Sequence, residues 1–423
     1  MATEEAGNMS ACQHGQTALA ARLLKRVAAE RSSGNLIFSP LSIHVALALM
    51  SAGAGGDTLD EILAIAGAPS RGELEEFVKG VVVERVLADR SGIGGAAVAF
   101  ACGAWSDKRW PLKPAYRDTV VGTYKGETWA VDFHNHAVES RKEINAWVAK
   151  ATRNLIMEVL DPYDVGDTLH VVANAIYFKG EWRNTFDKDD TVDDEFHLLD
   201  GSTVDKVPFL RRPWRMYQQI ACHDGFRVLK LPYKAYSDDS PPAYDSKLRE
   251  GLPEFSMCVF LPEDRDGLWS LVDRITPRPG FLREHLPTDH VPVGKFRLPK
   301  FKLTYMRSIR NVLQDLGLRL PFDRLRANMA GIVGDDDSAV PLCVSEVVNK
   351  AVVEMNEEGC EAAAVTVESD EDMGFSLYSD YEYVPPPPTV DFVADHPFAF
   401  FIVEETSGTL VFAGHVLDPT KEE

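Results

Sequence analysis

Positive charge is what this sequence has least of. Its 423 residues carry 44 lysines and arginines against 65 aspartates and glutamates, a net charge of −21 that would repel the phosphates of DNA, RNA and anionic lipid. Nucleic acid is therefore not expected as a partner. No apolar run reaches the ~18 residues a membrane helix needs, so no membrane association is expected. The opening MATEEAGNMSACQHGQ lacks the basic-then-apolar layout of a secretory signal, and a cytoplasmic location is the expectation. Six cysteines (Cys12, Cys102, Cys222, Cys258, Cys343 and Cys360) show neither CxxC nor CxxH spacing. This argues against a disulfide or zinc framework and for reduced, mostly buried thiols. There is no GxSxG elbow, HExxH or P-loop, so nothing supports an enzyme or a cofactor. His134 and His136 form an HxH pair without a third ligand nearby, the pattern of a solvated turn rather than a metal site.

What is present is apolar material in quantity. With 45% hydrophobic residues the chain can bury a large core, and disorder of the whole is excluded. QTALAARLLKRVAAE (16–30) places Leu19, Leu23, Leu24 and Val27 on one helical stripe. Asn35 to Phe38 reads as a short strand, Ser39 as a helix cap with Pro40 at the first helical position, and Ile43 to Ser51 as a helix so apolar that it must lie inside the protein. Amphipathic helices are expected at 57–66, 74–87 and 139–158, and TLHVVANAIYFKGEW (168–182) reads as a long buried strand. From Asp187 to Pro299 the pattern turns mainly β, interrupted at 235–254 by a polar, proline-bearing surface insertion. A helix at 308–318, a strand at 342–355 and a strand pair over 398–416 follow.

One segment fits none of these. Residues 354–382 contain ten acids and no lysine or arginine, and Pro385 to Pro388 follow as four consecutive prolines. Such a run reads as an exposed loop, and a loop of this length inside a compact domain is usually functional.

Four strings, in order, resemble the serpin family over nearly the whole chain: NLIFSPLSIHVALALMSAGAGGDTLDEIL, VVANAIYFKGEW, VSEVVNKAVVEMNEEGCEAAAV and FVADHPFAFFIVEETSGTLVFAGHVLDP. The wording of the last resembles plant serpins. The resemblance implies an α+β fold in one domain over 1–423, with about nine helices around three β-sheets and an exposed reactive-centre loop at about 357–392. It implies a suicide mechanism: a protease attacks the loop, and the loop then inserts as a new strand in the large sheet before the acyl-enzyme can deacylate. The expected partner is a target protease of the serine, or else the cysteine, class, met by a monomer. The shutter roles fall on Ser39, Ser42, Asn174 and Asn349, the last standing where the family usually has histidine. The breach roles fall on Trp182, Lys300 and Glu357. Read as ordinary structure, Ser39 is a helix cap, Trp182 a core aromatic and Asn174 a buried amide.

The hinge carried over by the resemblance is Glu357, Glu358, Gly359, Cys360, Glu361, Ala362, Ala363 and Ala364. Counting alternate residues from Gly359, Cys360, Ala362, Ala364 and Thr366 would face the core and suit insertion, whereas Glu368, Asp370 and Asp372 would not. This acidity favours the alternative of a non-inhibitory serpin with a binding, storage or decoy role. Fourteen positions past Gly359 the reactive bond falls at Met373 and Gly374, while counting back from Pro397 gives Tyr381. The discrepancy reads as an insertion in the distal half of the loop. Met373, Phe375, Leu377, Tyr378 and Tyr381 suit chymotrypsin-like or elastase-like pockets, and the missing lysine and arginine exclude a trypsin-like one. Asp372 and Asp380 leave room for an aspartate-specific enzyme.

Overall fold

The computed structural model describes residues 10–422 apart from 31–33, 153, 155, 159, 161–169, 250, 277, 279, 334–342 and 360–386. Fifteen strands are formed among the described residues: β1 Leu36–Phe38, β2 Ala97–Asp107, β3 Glu127–Val131, β4 His170–Lys179, β5 Val192–His197, β6 Thr203–Leu210, β7 Tyr217–His223, β8 Phe226–Pro232, β9 Phe255–Pro262, β10 His290–Pro299, β11 Phe301–Ser308, β12 Glu346–Met355, β13 Val390–Val393, β14 Phe398–Glu404 and β15 Thr409–Val416. They make two hydrogen-bonded sheets rather than the expected three. One runs β11-β12-β4-β2-β3 and the other β1-β15-β14-β9-β8-β7-β10-β6-β5, with β13 beside β10. The reason is β10, which pairs with β7 through His290 to Pro292 and with β6 through Leu298 and Pro299, so two layers become one ladder. Among the described residues there are eleven α-helical segments, several of a single turn, against the nine or so expected.

The interior helix is Pro40–Gly53, where thirteen of the fourteen residues are buried. Ser39 caps it by accepting from Ser42 N at 3.1 Å, with Pro40 at the first turn. The helix read over 74–87 instead starts at Arg71, capped by Ser70, and becomes a π-helix at Val78–Val86. Val78, Val82 and Val86, spaced by four, are its buried residues. The helix read over 139–158 runs from Ala137 to Ala151. It ends early because the Asn145 side chain bonds Leu160 through both backbone groups, at 2.9 Å each, which turns the chain back across the helix. Leu155 lies outside the described residues.

Helix Ala137–Ala151 covers one face of the five-stranded sheet, packing Ile144 and Val148 on Val171, Ala173, Ala175 and Tyr177 of β4. The opposite face, with Val172, Ile176 and Phe178, belongs to the main core. This alternation decides which way any further strand in the sheet would point its side chains. The polar insertion carries two one-turn helices, Pro241–Tyr244 and Ser246–Arg249, tied to the Ser91–Ile93 turn through Ser237 N to Ile93 O at 2.8 Å. At the HxH pair, His136 Nδ1 meets Asp132 Oδ2 at 3.1 Å and His134 N donates to Asp107 Oδ2 at 3.2 Å. Cys12, Cys102, Cys258 and Cys343 are buried free thiols, and Cys222 is exposed. No helix of the described residues is long and apolar enough to cross a membrane.

Candidate functional site

The site is organised around the parallel strand pair at the centre of the five-stranded sheet. β12 lies directly beside β4, from Glu346 opposite Val171 to Val352 opposite Tyr177. All their other neighbours in the sheet, β2 and β11, are antiparallel to them. A strand placed between β4 and β12 could therefore run antiparallel to both. Asn349 stands opposite Asn174 at the middle of this seam. Below it, Asn174 Nδ2 donates to Ser42 O at 2.8 Å and Ser39 Oγ donates to Val411 O at 2.7 Å. The helix cap, the sheet and β15 are thus joined at one buried point. Asn174 Oδ1 has no hydrogen-bond partner.

At the upper end of the seam the chain beyond β12 closes in a tight turn. Asn356 Oδ1 accepts from the backbone N–H groups of Glu358 and Gly359 at 3.0 Å each, and Asn356 N donates to Gly359 O at 3.0 Å. The segment following β4 grips this turn: Trp182 Nε1 donates to Asn356 O at 2.9 Å, Trp182 N to Glu358 O at 2.8 Å and Phe186 N to Glu357 O at 2.8 Å. Trp182 is itself buried against Tyr233, the rings stacked 4.4 Å apart. Arg212 lies over the Phe186 ring at 3.6 Å and donates to Asn184 O and Thr185 O, and its burial pushes the guanidinium down to about 10.

Glu357 is the charged centre of the turn. Lys300 Nζ reaches its two carboxylate oxygens at 2.9 and 2.8 Å, and Thr191 Oγ1 donates to it at 2.8 Å. Lys188 pairs with the neighbouring Glu358 at 2.5 Å. Burial pushes the Glu357 carboxyl up, but the bonds from Lys300, its own backbone and Thr191 outweigh it, so the net displacement is below 4.5. A carboxyl depressed by folding stabilises fully above its unfolded value and loses that contribution as pH falls through the folded one. Glu357→Gln is thus expected to cost ~1–2 kcal/mol at neutral pH, given that Lys300 is one-third exposed. The loss should shrink below about pH 4.5, read as Tm against pH for the two proteins. Equal slopes of the two acid limbs would show that Glu357 is not the group responsible.

The structure thus brings together Trp182, Lys300 and Glu357 at one end of the seam and Ser39, Ser42 and Asn174 at its middle. Glu358 and Gly359 sit in the turn, where Gly359 bridges to Glu181. Cys360, Glu361, Ala362, Ala363 and Ala364, and the bond candidates Met373, Gly374, Phe375, Leu377 and Tyr381, lie outside the described residues. Thr191, Tyr233, Asn356 and Lys188 were not singled out from sequence. Only the N-E-E-G string around Asn356 carried a local signal, that of an Asx turn.

A seam built this way, closed above by a loop-bearing turn, matches one family. Residues 14–419 match the protein-family model for serpins, described as serine protease inhibitor. This chain belongs to the serpin family. Among its relatives, putative serpin-Z5 of rice (Oryza sativa subsp. japonica) is 48% identical, the match covering 96% of this chain and 90% of that one. Serpin-Z2A of rice is 47% identical over 96% of this serpin and 97% of the relative. The native stressed conformation of the Arabidopsis serpin AtSerpin1 superimposes with a TM-score of 0.83 at 36% identity, covering 98% of this chain and all of that one. The fold is accordingly the α+β serpin fold, the relatives are plant serpins, and the family is one of protease inhibitors rather than catalysts.

Proposed function

We propose that this serpin is a suicide inhibitor of serine endopeptidases of chymotrypsin-like or elastase-like pocket preference, acting as a monomer through cleavage of the 360–386 loop and its insertion between β4 and β12. The observation that carries the reading is the direct parallel pairing of those strands under a loop-bearing turn. A new strand entering there gains two ladders of hydrogen bonds where the present pair has one. The small residues Cys360, Ala362 and Ala364 support entry, since they bury with little volume and no charge. Met373 and Gly374 are taken as the bond attacked, with Phe375, Leu377 and Tyr381 as the other choices, all apolar or aromatic.

The test is a gel. Mixed with chymotrypsin or pancreatic elastase, the protein should give a complex stable in SDS at the summed mass, and with trypsin none. Cleavage without any complex would overturn the inhibitory reading and favour the non-inhibitory one, which the inward-facing acids Glu368, Asp370 and Asp372 support. A complex with a papain-like enzyme alone would move the target to the cysteine class.

A further inference from the structure

Much of the hold on the 356–359 turn comes from a stretch with no ladder of its own. Residues 183–191 form neither helix nor strand. Three of the bonds that close the turn nevertheless start there: Phe186 N to Glu357 O, Thr191 Oγ1 to the Glu357 carboxylate and Lys188 Nζ to the Glu358 carboxylate. Irregular backbone keeps one position only where side chains fix it. At one end Arg183 N donates to Pro232 O of β8 at 2.8 Å, and at the other Val192 of β5 pairs with Phe209 of β6. Between these points, among the described residues, the hydrogen bonds reaching the stretch from outside it and the turn come from a single side chain.

That side chain is Arg212, just past the end of β6. Its two terminal nitrogens donate to consecutive carbonyls, Nη1 to Thr185 O and Nη2 to Asn184 O, and the guanidinium lies 3.6 Å over the Phe186 ring. The same ring meets Phe296 of β10, with centroids 5.8 Å apart. Arg212 is 8% exposed, its Nε has no hydrogen-bond partner, and no carboxylate among the described residues pairs with it. A buried guanidinium without a counter-ion is costly, so packing alone would favour an apolar residue here. What an apolar residue lacks is the fork, two parallel donors that reach two adjacent carbonyls at once. The neighbouring Arg211 is a plain contrast: 35% exposed, it pairs at 3.5 Å with Asp194, which Arg297 also holds at 2.6 Å.

We propose that Arg212 is a positioning residue for insertion: by fixing Asn184, Thr185 and Phe186 it holds the 183–191 stretch on the 356–359 turn, and so sets how readily the upper end of the seam opens. The inference rests on the insertion reading above. The contacts run as one chain. Arg212 holds Phe186, Phe186 N holds Glu357 O, and the same stretch carries Thr191 and Lys188 to the two glutamates. The turn that follows β12 is thus closed from β6, a strand of the other sheet. These bonds must part before a strand can enter from above. Removing the fork raises the population of the open form and leaves the ladders of an inserted strand untouched, so entry is faster.

Hydrogen exchange on the intact protein tests the hold, and the limiting rate of SDS-stable complex formation at saturating chymotrypsin tests its consequence. In Arg212→Met, which keeps an apolar stem and loses the fork, the amides of Phe186, Glu358 and Gly359 should lose ~10-fold of their protection relative to those of β9, which report global opening. Complex should form ~3–10-fold faster. Arg212→Lys, which keeps the charge but not the fork, should resemble Arg212→Met, and Arg211→Ala should match wild type in both readings. Should Arg212→Met not fold, Phe186→Leu, which removes the ring beneath the guanidinium, takes its place. Unchanged protection of the three amides, or a loss no greater than that of β9, overturns the proposal, and so does selective loss with an unchanged limiting rate. Selective loss in a protein that forms no complex even as wild type sinks the inhibitory reading instead and leaves Arg212 as what holds the turn closed.

Discussion

Cutting the loop between residues 372 and 382 is expected to raise the melting temperature by ~10 °C or more, although a covalent bond has been broken. In most proteins a nick destabilises. Here residues 360–370 become free to enter the seam, where each residue exchanges water for partners on β4 and β12. Two ladders replace the one between β4 and β12, a net gain of one backbone bond of ~1 kcal/mol per residue, and with the burial of apolar side chains on the strand this outweighs an ordering cost of ~1–2 kcal/mol per residue. A surplus of roughly 0.5–1 kcal/mol per inserted residue amounts to ~5–10 kcal/mol for the strand, and in a protein of this size each kcal/mol moves Tm by ~1–2 °C. Differential scanning calorimetry of intact and nicked protein reads this directly. An unchanged or lower Tm after a verified cut would mean that the loop stays outside and that the protein is not an insertion-type inhibitor.

The second large effect is expected from a single methyl group. Gly359 holds φ at +148°, and a Cβ there would lie 2.0 Å from Gly180 O and 2.7 Å from Glu181 Cα. Both obstacles are backbone, so no side chain can swing aside. Gly359→Ala must therefore open the 356–359 turn, releasing the Asn356 and Trp182 bonds, at ~3 kcal/mol or more. The Tm of the intact protein should fall by ~5 °C. A functional consequence separates this from simple damage: with the turn unhooked, the fraction of encounters with chymotrypsin that end in stable complex should change relative to wild type. A variant with wild-type Tm and wild-type stoichiometry of inhibition would show that the turn does not hold the top of the seam.

Much of the fold is legible because its causes are local. Ser39 and Pro40 announce a helix start through a cap and a fixed φ, and the apolar run behind them can only be internal. The run from Val171 to Phe178 reads as a covered strand because every second and every intervening residue is apolar or small, save Asn174, which singles itself out. The pairing of Lys300 with Glu357 follows from the family resemblance, whereas Thr191 on the same carboxylate does not, since a lone threonine carries no signal of its partner. Helix 74–87 shows the reverse failure: its period is visible, but its widening to a π-helix over Val78–Val86 is not, since valines spaced by four fit one face of an α-helix equally well.

The position of the acids is the sharpest division. Sequence alone determines that Glu368 and Asp370 would enter on the inward face, because alternation along a strand is a property of the chain itself. It treats them as equivalent penalties. What each would meet there depends on β4, β12 and β2 and their mutual register, formed by residues up to 273 positions away from Asp370. Apolar Val172 and Val347 stand at one level, and the buried His170, opposite Ser106, at the next. The cost of burying a charge is set by the donors around it and not by the charge, and those donors are assembled only when distant strands are laid side by side.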